Sequence, residues 1–294
     1  MVLLLLLVLP VQASAQNYKS DFAEAYHADD EAKQQDILEN WETARPNDPE
    51  LFPARCNYHI LKGKTEAFHL SLDPSVQDTS FEIEADDIEQ IFSPGSITYD
   101  RQESEAALKW IDKGIAIYPM RFDYRFGKIH FLSLLDRYAD ATQEIMDAMD
   151  FYYSPERAPL RWTNHDLLPN QEATFRKAMQ DYVYKWFESG HEGANAQIRQ
   201  ISERLSEQYP KDPVPFANIG STYYAEEDYD KALESFLRAH RLDKRDEGTL
   251  ANIAYIYKLK GETKEALKYY KKLTKSENEA MREGAKETIR LMEQ

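Results

Sequence analysis

Residues 216–236 read FANIGSTYYAEEDYDKALESF, and residues 250–270 read LANIAYIYKLKGETKEALKYY. The two stretches align without a gap at an offset of 34 residues, which places Gly220 opposite Ala254. Each stretch carries apolar, small and aromatic residues at helical spacing and ends in Ala-x3-aromatic. A repeat of this length is typical of two antiparallel helices that stack on their neighbours. The sequence therefore predicts two consecutive helix pairs in this part of the chain.

This pattern resembles the tetratricopeptide repeat (TPR), most specifically over residues 213–270. Gly220 and Ala254 are small where the two helices of a repeat cross closely, and aromatic residues such as Tyr223 fill the space between neighbouring pairs. The resemblance implies an all-α fold, a TPR-like α-solenoid of antiparallel helix pairs. It also implies a scaffold that binds other proteins.

Weaker versions of the pattern extend the predicted solenoid over residues 16–294. In the repeat before the long connection, Phe126-Gly127 takes the place of the apolar and small pair, and Ser20–Thr43 has the apolar spacing of one continuous helix. The predicted segments are a cap helix at 16–45, a repeat at 46–119 interrupted by an insertion at 64–100, a repeat at 120–150, a long connection at 151–170, a divergent repeat at 171–212, repeats at 213–246 and 247–277, and a cap helix at 278–294.

The insertion carries a different period. Apolar and polar residues alternate over Phe68–Leu72 and again over Phe81–Glu84, with a turn signal beginning at Asp73. Alternation with a period of two is typical of strands. We therefore expect a small β-hairpin near residues 67–85, followed by a short helix over Asp86–Phe92.

The first 15 residues have the pattern of a signal peptide. Leu3–Leu9 is a short apolar core, and Ala13-Ser14-Ala15 is a typical cleavage site, so we expect a mature chain that starts at Gln16. The absence of Lys or Arg before the apolar core favours a start codon further upstream. No later apolar run approaches about 18 residues, so no membrane span is expected in the mature chain. The protein is expected to be exported, to the periplasm of a Gram-negative bacterium.

Charge and motifs exclude several classes of function. A net charge of −16 argues against nucleic acid and anionic membranes as primary partners, since both select basic surfaces. The sequence contains no nucleophile elbow, no phosphate-binding loop and no zinc-protease motif. The single cysteine, Cys56, falls where a first helix takes a small residue and is expected in the core. We predict neither an enzyme nor a cofactor or metal site.

The TPR resemblance places partner contacts at fixed positions on the first helix of each repeat. The residues at these positions are small, aromatic or basic, and they lack the Lys and Asn clamp of chaperone-binding TPR domains. A peptide with apolar and acidic groups suits such a groove. The alternative is that the tyrosines pack against adjacent helices and the basic residues pair with nearby acids. The predicted contacts are Arg121, Tyr124, Lys128, Tyr224, Tyr255 and Lys258.

A second function class stays open from the sequence. The connection at 151–170 is rich in aromatic residues and proline, and Trp162 stands beside polar residues that include His165. Either Trp162 fills the core, or its loop and the inserted hairpin bind a small molecule or glycan. The second reading makes the protein a ligand-binding accessory protein.

Overall fold

The computed structural model describes residues 17–66, 69–71, 81–85, 88–93, 97–163 and 165–294. These residues form a mostly helical, TPR-like fold, as predicted, with a little β-structure in the insertion. The helices are α1 (Tyr18–His27), α2 (Glu31–Ala44), α3 (Leu51–Gly63), α4 (Arg101–Ile117), α5 (Phe122–Leu134), α6 (Tyr138–Tyr153), α7 (Gln171–Ser189), α8 (Ala194–Gln208), α9 (Pro213–Ala225), α10 (Tyr229–Leu242), α11 (Glu247–Leu259), α12 (Thr263–Leu273) and α13 (Glu279–Met292). The strands are β1 (Lys64–Glu66), β2 (His69–Ser71), β3 (Phe81–Ala85), β4 (Ile88–Ser93) and β5 (Ile97–Tyr99).

The chain divides into two compact units. Unit 1 comprises the chain up to Asp136 together with residues 155–168, and unit 2 comprises residues 137–154 and 169–294. Among the described residues, no helix is both long and apolar enough to cross a membrane.

The N-terminal segment of unit 1 corrects the prediction of one continuous helix over Ser20–Thr43. Two helices, α1 and α2, pack on each other there. Asp29 has a φ of 53°, outside the helical region, and the carboxylate of Asp30 accepts a hydrogen bond from the backbone N–H of Lys33 at 3.0 Å. Aspartate is among the best N-cap residues, so the Asp-Asp pair ends one helix and starts the next.

The insertion contains antiparallel strands, but their pairing differs from the predicted hairpin. The strands β2 and β3 do not pair with each other, since both pair with β4 in the order β2-β4-β3. The predicted helix over Asp86–Phe92 is wrong, because β4 occupies most of it. This segment contains isoleucine and phenylalanine, which strands favour. The predicted turn at Asp73 lies outside the described residues.

A second pair of strands closes the insertion at its base. Lys64 of β1 is the register partner of Tyr99 of β5, and the backbone N–H of Asp100 donates to the carbonyl of Gly63 at 2.8 Å. The end of α3 and the start of α4 are therefore held together across the insertion. The two helices pack closely, and a Cβ added at Gly114 of α4 would lie 2.9 Å from the Cβ of Phe52.

The connection between α6 and α7 is anchored in the core by two leucines and not by Trp162. Leu160 and Leu168 are fully or almost fully buried, whereas Trp162 is 45% exposed. Of the two alternatives for Trp162, the one in which its side chain fills the core is therefore wrong. Its ring instead lies against Phe126, with the ring centroids 6.0 Å apart.

The C-terminal repeats of unit 2 follow the sequence pattern closely. Asp212 and Asp246 cap α9 and α11 by accepting hydrogen bonds from backbone N–H groups in the first turn. A Cβ built at Gly220 would lie 2.9 Å from ring atoms of Phe236 on α10, so the placement of Gly220 at the helix crossing is confirmed. The same reading of Gly127 is wrong, because a Cβ there meets no atom within 4 Å.

The other end of unit 2 is organised around a buried tryptophan. Trp186 of α7 is fully buried, and its indole N–H donates to Thr142 of α6 at 2.9 Å. Tyr152 of α6 stacks on Phe175 of α7 at a centroid distance of 3.9 Å. These contacts join α6 to the helix pair of α7 and α8.

Candidate protein-binding site

Arg121, a predicted partner contact, lies inside unit 1. Its guanidinium is 2.8 Å from the carboxylate of Glu50 and 2.7 Å from that of Asp123, and only 3% of the residue is exposed. A guanidinium that bridges two carboxylates has few donors left for an incoming peptide. Arg121 therefore stabilises the start of α5 and is removed from the candidate site.

The two carboxylates beside Arg121 respond differently to their surroundings. Burial raises the pKa of Asp123, although the hydrogen bond from Arg121 opposes this effect. Burial also acts on Glu50, but its bonds to Lys19 and Arg121 outweigh it and lower the pKa of that carboxyl. Glu50 has a second cationic partner in Lys19, whose ammonium lies 2.7 Å away, whereas the charge of Glu50 itself raises the pKa of Asp123. The network is thus a folded-state ion cluster and does not present a free basic surface.

The other two predicted contacts in unit 1 are also engaged. Tyr124 is 1% exposed, its hydroxyl donates to the carbonyl of Pro49, and the guanidinium of Arg121 lies over its ring at 4.4 Å. The ammonium of Lys128 lies 2.6 Å from Asp112, and its side chain is mostly buried. The three predicted contacts in unit 1 therefore serve internal packing and ion pairing, which is the alternative to partner binding.

Unit 2 presents the predicted tyrosines to solvent. Tyr224 at the end of α9 is 39% exposed, Tyr255 of α11 is 42% exposed, and their ring centroids are 6.3 Å apart. Tyr229 at the start of α10 lies 6.1 Å from Tyr224, and the exposed Leu259 follows Tyr255 by one helical turn. We call Tyr224, Tyr229, Tyr255 and Leu259 the tyrosine patch. Lys258, the last predicted contact, is exposed next to it.

The two first helices of the patch, α9 and α11, are almost free of charge. In α9 there is no Asp, Glu, Lys or Arg, and α11 contains only Glu247 and Lys258, although 30% of the chain is charged. Asn252 of α11 is exposed on the same helix as Tyr255. The surface that these first helices offer is therefore aromatic, aliphatic and amide in character.

A polar depression lies in unit 1, beside the loop that follows Trp162. It has a volume of about 590 Å³ and is lined by charged and polar residues. Within the loop, Thr163 donates to Asp166 at 2.7 Å and accepts from its backbone N–H. Trp162 does not line this space. The lining residues are Lys19, Arg45, Asp48, Pro49, Glu50, Thr163, His165 and Asp166.

Groups that could support covalent or metal chemistry are scarce. Cys56 is buried, as predicted, and burial raises the pKa of its thiol to about 12. The thiolate, which is the reactive form, is therefore strongly disfavoured. Over the part of the chain that the structure describes, no three His, Cys, Asp or Glu side chains are grouped closely enough to hold a metal ion.

The sequence missed part of the patch. Tyr229 lies on α10, off the first helices to which the predicted contacts belong, and only the fold brings it next to Tyr224. Leu259 could have been found, because it follows Tyr255 by four residues on a predicted helix. The polar depression of unit 1 joins residues more than 100 positions apart, and no local signal marks it.

Comparison with known proteins identifies the repeats. Residues 216–248 and residues 248–279 each match the tetratricopeptide repeat family, so this part of the chain consists of tetratricopeptide repeats. No curated protein matches the chain significantly in sequence.

Several solved structures are similar to this chain. PilF of Pseudomonas aeruginosa shares 10% identity, with coverage of 92% of this chain and 96% of PilF and a TM-score of 0.37. MamA of Desulfovibrio magneticus RS-1 shares 17% identity over 58% of this chain and 85% of MamA, with a TM-score of 0.34. YrrB, described as a TPR protein with an unusual peptide-binding site, shares 13% identity over 85% of this chain and 97% of YrrB, with a TM-score of 0.39.

Proposed function

We propose that this protein is an exported, non-enzymatic scaffold that binds a protein partner through the tyrosine patch on its C-terminal repeats. The observation that carries the proposal is the contact between two solvent-exposed tyrosine rings on neighbouring first helices. Tetratricopeptide repeats typically mediate interactions between proteins, and the patch offers several neighbouring large side chains that the core does not need.

The chemistry of the patch favours an apolar or aromatic segment of the partner. Tyrosine contributes a large, rigid contact area with a polar tip, and it is enriched among the residues that dominate binding energy. The predicted acidic character of the partner depended mostly on Arg121 and Lys128, which are engaged inside unit 1. The exposed Lys258 at the edge of the patch can pair with one carboxylate of the partner.

The test is capture of a partner from a periplasmic extract, followed by affinity measurements with variants. We expect Tyr224→Ala and Tyr255→Ala each to weaken binding at least about tenfold, because truncation of a central aromatic contact typically costs about 2 kcal/mol or more. Tyr184→Ala is the matched control, since Tyr184 is a 60% exposed tyrosine of unit 2 on α7. It should change the affinity less than about twofold.

Circular dichroism must first show that each variant is folded. Full affinity in both folded patch variants would contradict the proposal. If no protein is captured but small polar ligands or glycans raise the melting temperature, the protein is a ligand-binding accessory protein. The depression beside the Trp162 loop in unit 1 is then the site to mutate, because its lining of charged and polar side chains can bind polar groups.

The proposal of export to the periplasm rests on residues 1–15 alone. They combine a short apolar core with the Ala13-Ser14-Ala15 motif. The same periplasmic fraction tests this part of the proposal. Mass spectrometry of this protein, recovered from that fraction, should show a chain that begins at Gln16. An uncleaved chain found in the cytoplasmic fraction would contradict export. It would not affect the proposal that the tyrosine patch binds a partner.

A further inference from the structure

The second helices of the C-terminal repeats differ sharply in charge from the first. Across α12 and the turn that follows it there are lysines at five positions, whereas the chain as a whole has a net charge of −16. Lys264, Lys268 and Lys272 are spaced by four residues, so they lie on one side of the helix. Lys275 continues this row after the helix ends.

The basic row on α12 adjoins the end of α10. The ring of His240 on α10 lies 6.1 Å from the ring of Tyr269 on α12, and the ammonium of Lys272 lies over Tyr269 at 4.7 Å. Lys244 follows the end of α10. Burial lowers the pKa of His240, and the nearby charges of Lys272 and Lys244 lower it further, with Asp246 and Asp243 opposing them.

Several of these lysines are not neutralised by neighbouring acids. Lys268 pairs with Glu265 at 3.0 Å, and Lys271 lies 3.5 Å from Glu293. In contrast, the described carboxylates include none within ion-pair distance of Lys244, Lys264, Lys272 or Lys275, all of which are exposed. We call these four residues the basic face.

We propose that the basic face is a second docking surface, which binds an acidic segment of a protein partner. Charge complementarity is the argument, because a cluster of exposed, unneutralised lysines in a strongly acidic chain attracts a short run of carboxylates. Interactions between exposed charges are screened beyond about 10 Å at ordinary salt, so distant acids of this chain do not cancel the cluster. The same global charge disfavours a long polyanion such as nucleic acid.

This surface is distinct from the tyrosine patch. It lies on α12 and on the turns that follow α10 and α12, while the patch rings are carried by α9, the start of α10 and α11. Tyr269, which lies between the basic residues, is mostly buried, so the basic face offers charge without a large exposed ring. Such a surface binds with strong salt dependence and with an electrostatically accelerated association rate.

The experiment uses the full chain and a fluorescent poly-glutamate peptide, with fluorescence anisotropy measured at low and high salt. We expect binding at low salt that weakens as salt rises. Lys244→Glu combined with Lys272→Glu should weaken it at least about tenfold, because attraction becomes repulsion at the centre of the cluster. The matched control is Lys185→Glu combined with Lys211→Glu, an equal charge change at exposed lysines of unit 2. It should weaken binding less than about twofold.

Two results would overturn the proposal, namely no binding of the peptide at low salt and an equal loss of binding in the control variant. If the peptide does not bind but phosphatidylglycerol vesicles do, the surface is assigned to an anionic lipid. Tyr224→Ala should bind poly-glutamate as the wild type does, so failure of the basic face and failure of the tyrosine patch are distinguishable.

Discussion

Replacing Arg121 with alanine is expected to destabilise unit 1 by about 3 kcal/mol, because it leaves Asp123 without a cationic partner and Glu50 with Lys19 alone. The guanidinium is almost fully buried, whereas the side chains of Glu50 and Asp123 are each 22% exposed. Partial hydration of the carboxylates places the expected loss at the lower end of the range for buried ion pairs. Denaturant unfolding measures it directly.

Arg101→Ala is the matched control for this change. Arg101 is an exposed arginine of unit 1 in the first turn of α4, where a positive charge opposes the helix dipole. Its removal should change the free energy of unfolding by no more than about 0.5 kcal/mol. If Arg121→Ala keeps the stability of the wild type but loses a bound partner, Arg121 is a binding residue after all.

Replacing Gly220 with leucine is expected to destabilise unit 2 by about 1–3 kcal/mol, because overpacking of a close helix contact forces rings and backbone apart. The ring of Phe236 already occupies the space that a side chain at this position needs. Stability in repeat proteins depends on contacts between neighbours, so the loss should reach α11 and α12 as well. Thermal unfolding and hydrogen exchange of these helices test both parts.

Gly284→Ala provides the comparison within the same unit. Gly284 lies in α13, and a Cβ there meets no atom within 4 Å. Alanine should raise stability by a few tenths of a kcal/mol to about 1 kcal/mol, because it favours the helix and restricts the unfolded chain. A melting curve for Gly220→Leu that coincides with that of the wild type would show that the α9–α10 crossing is looser than described.

The repeat pattern predicted the C-terminal pairs well because their information is local. Gly220 and Phe236 stand 16 residues apart within a single repeat, and both the period and the residue sizes follow from that contact. Gly127 shows the limit of the repeat pattern, because a small residue in the right frame predicts a helix crossing at a position where no neighbour approaches. Small size permits a close contact but does not create one.

The candidate site was predictable only in part for a similar reason. Repeat positions indicate which side of a helix a residue occupies, and this was enough to find Tyr224 and Tyr255. They do not indicate what faces that side, and for Arg121 the facing group is Glu50, 71 residues earlier in the chain. Ion pairs of this kind are properties of the tertiary structure, so a single sequence does not reveal them.

The paired strands β1 and β5 bring the two ends of the insertion close together. Lys64 and Tyr99 stand opposite each other in an antiparallel ladder, so the insertion leaves and re-enters the helix pair at nearly the same point. Adjacent residues across such a ladder are only about 5 Å apart, which almost any chain segment can bridge. A segment of different length can therefore join β1 to β5 while α3 and α4 keep their packing.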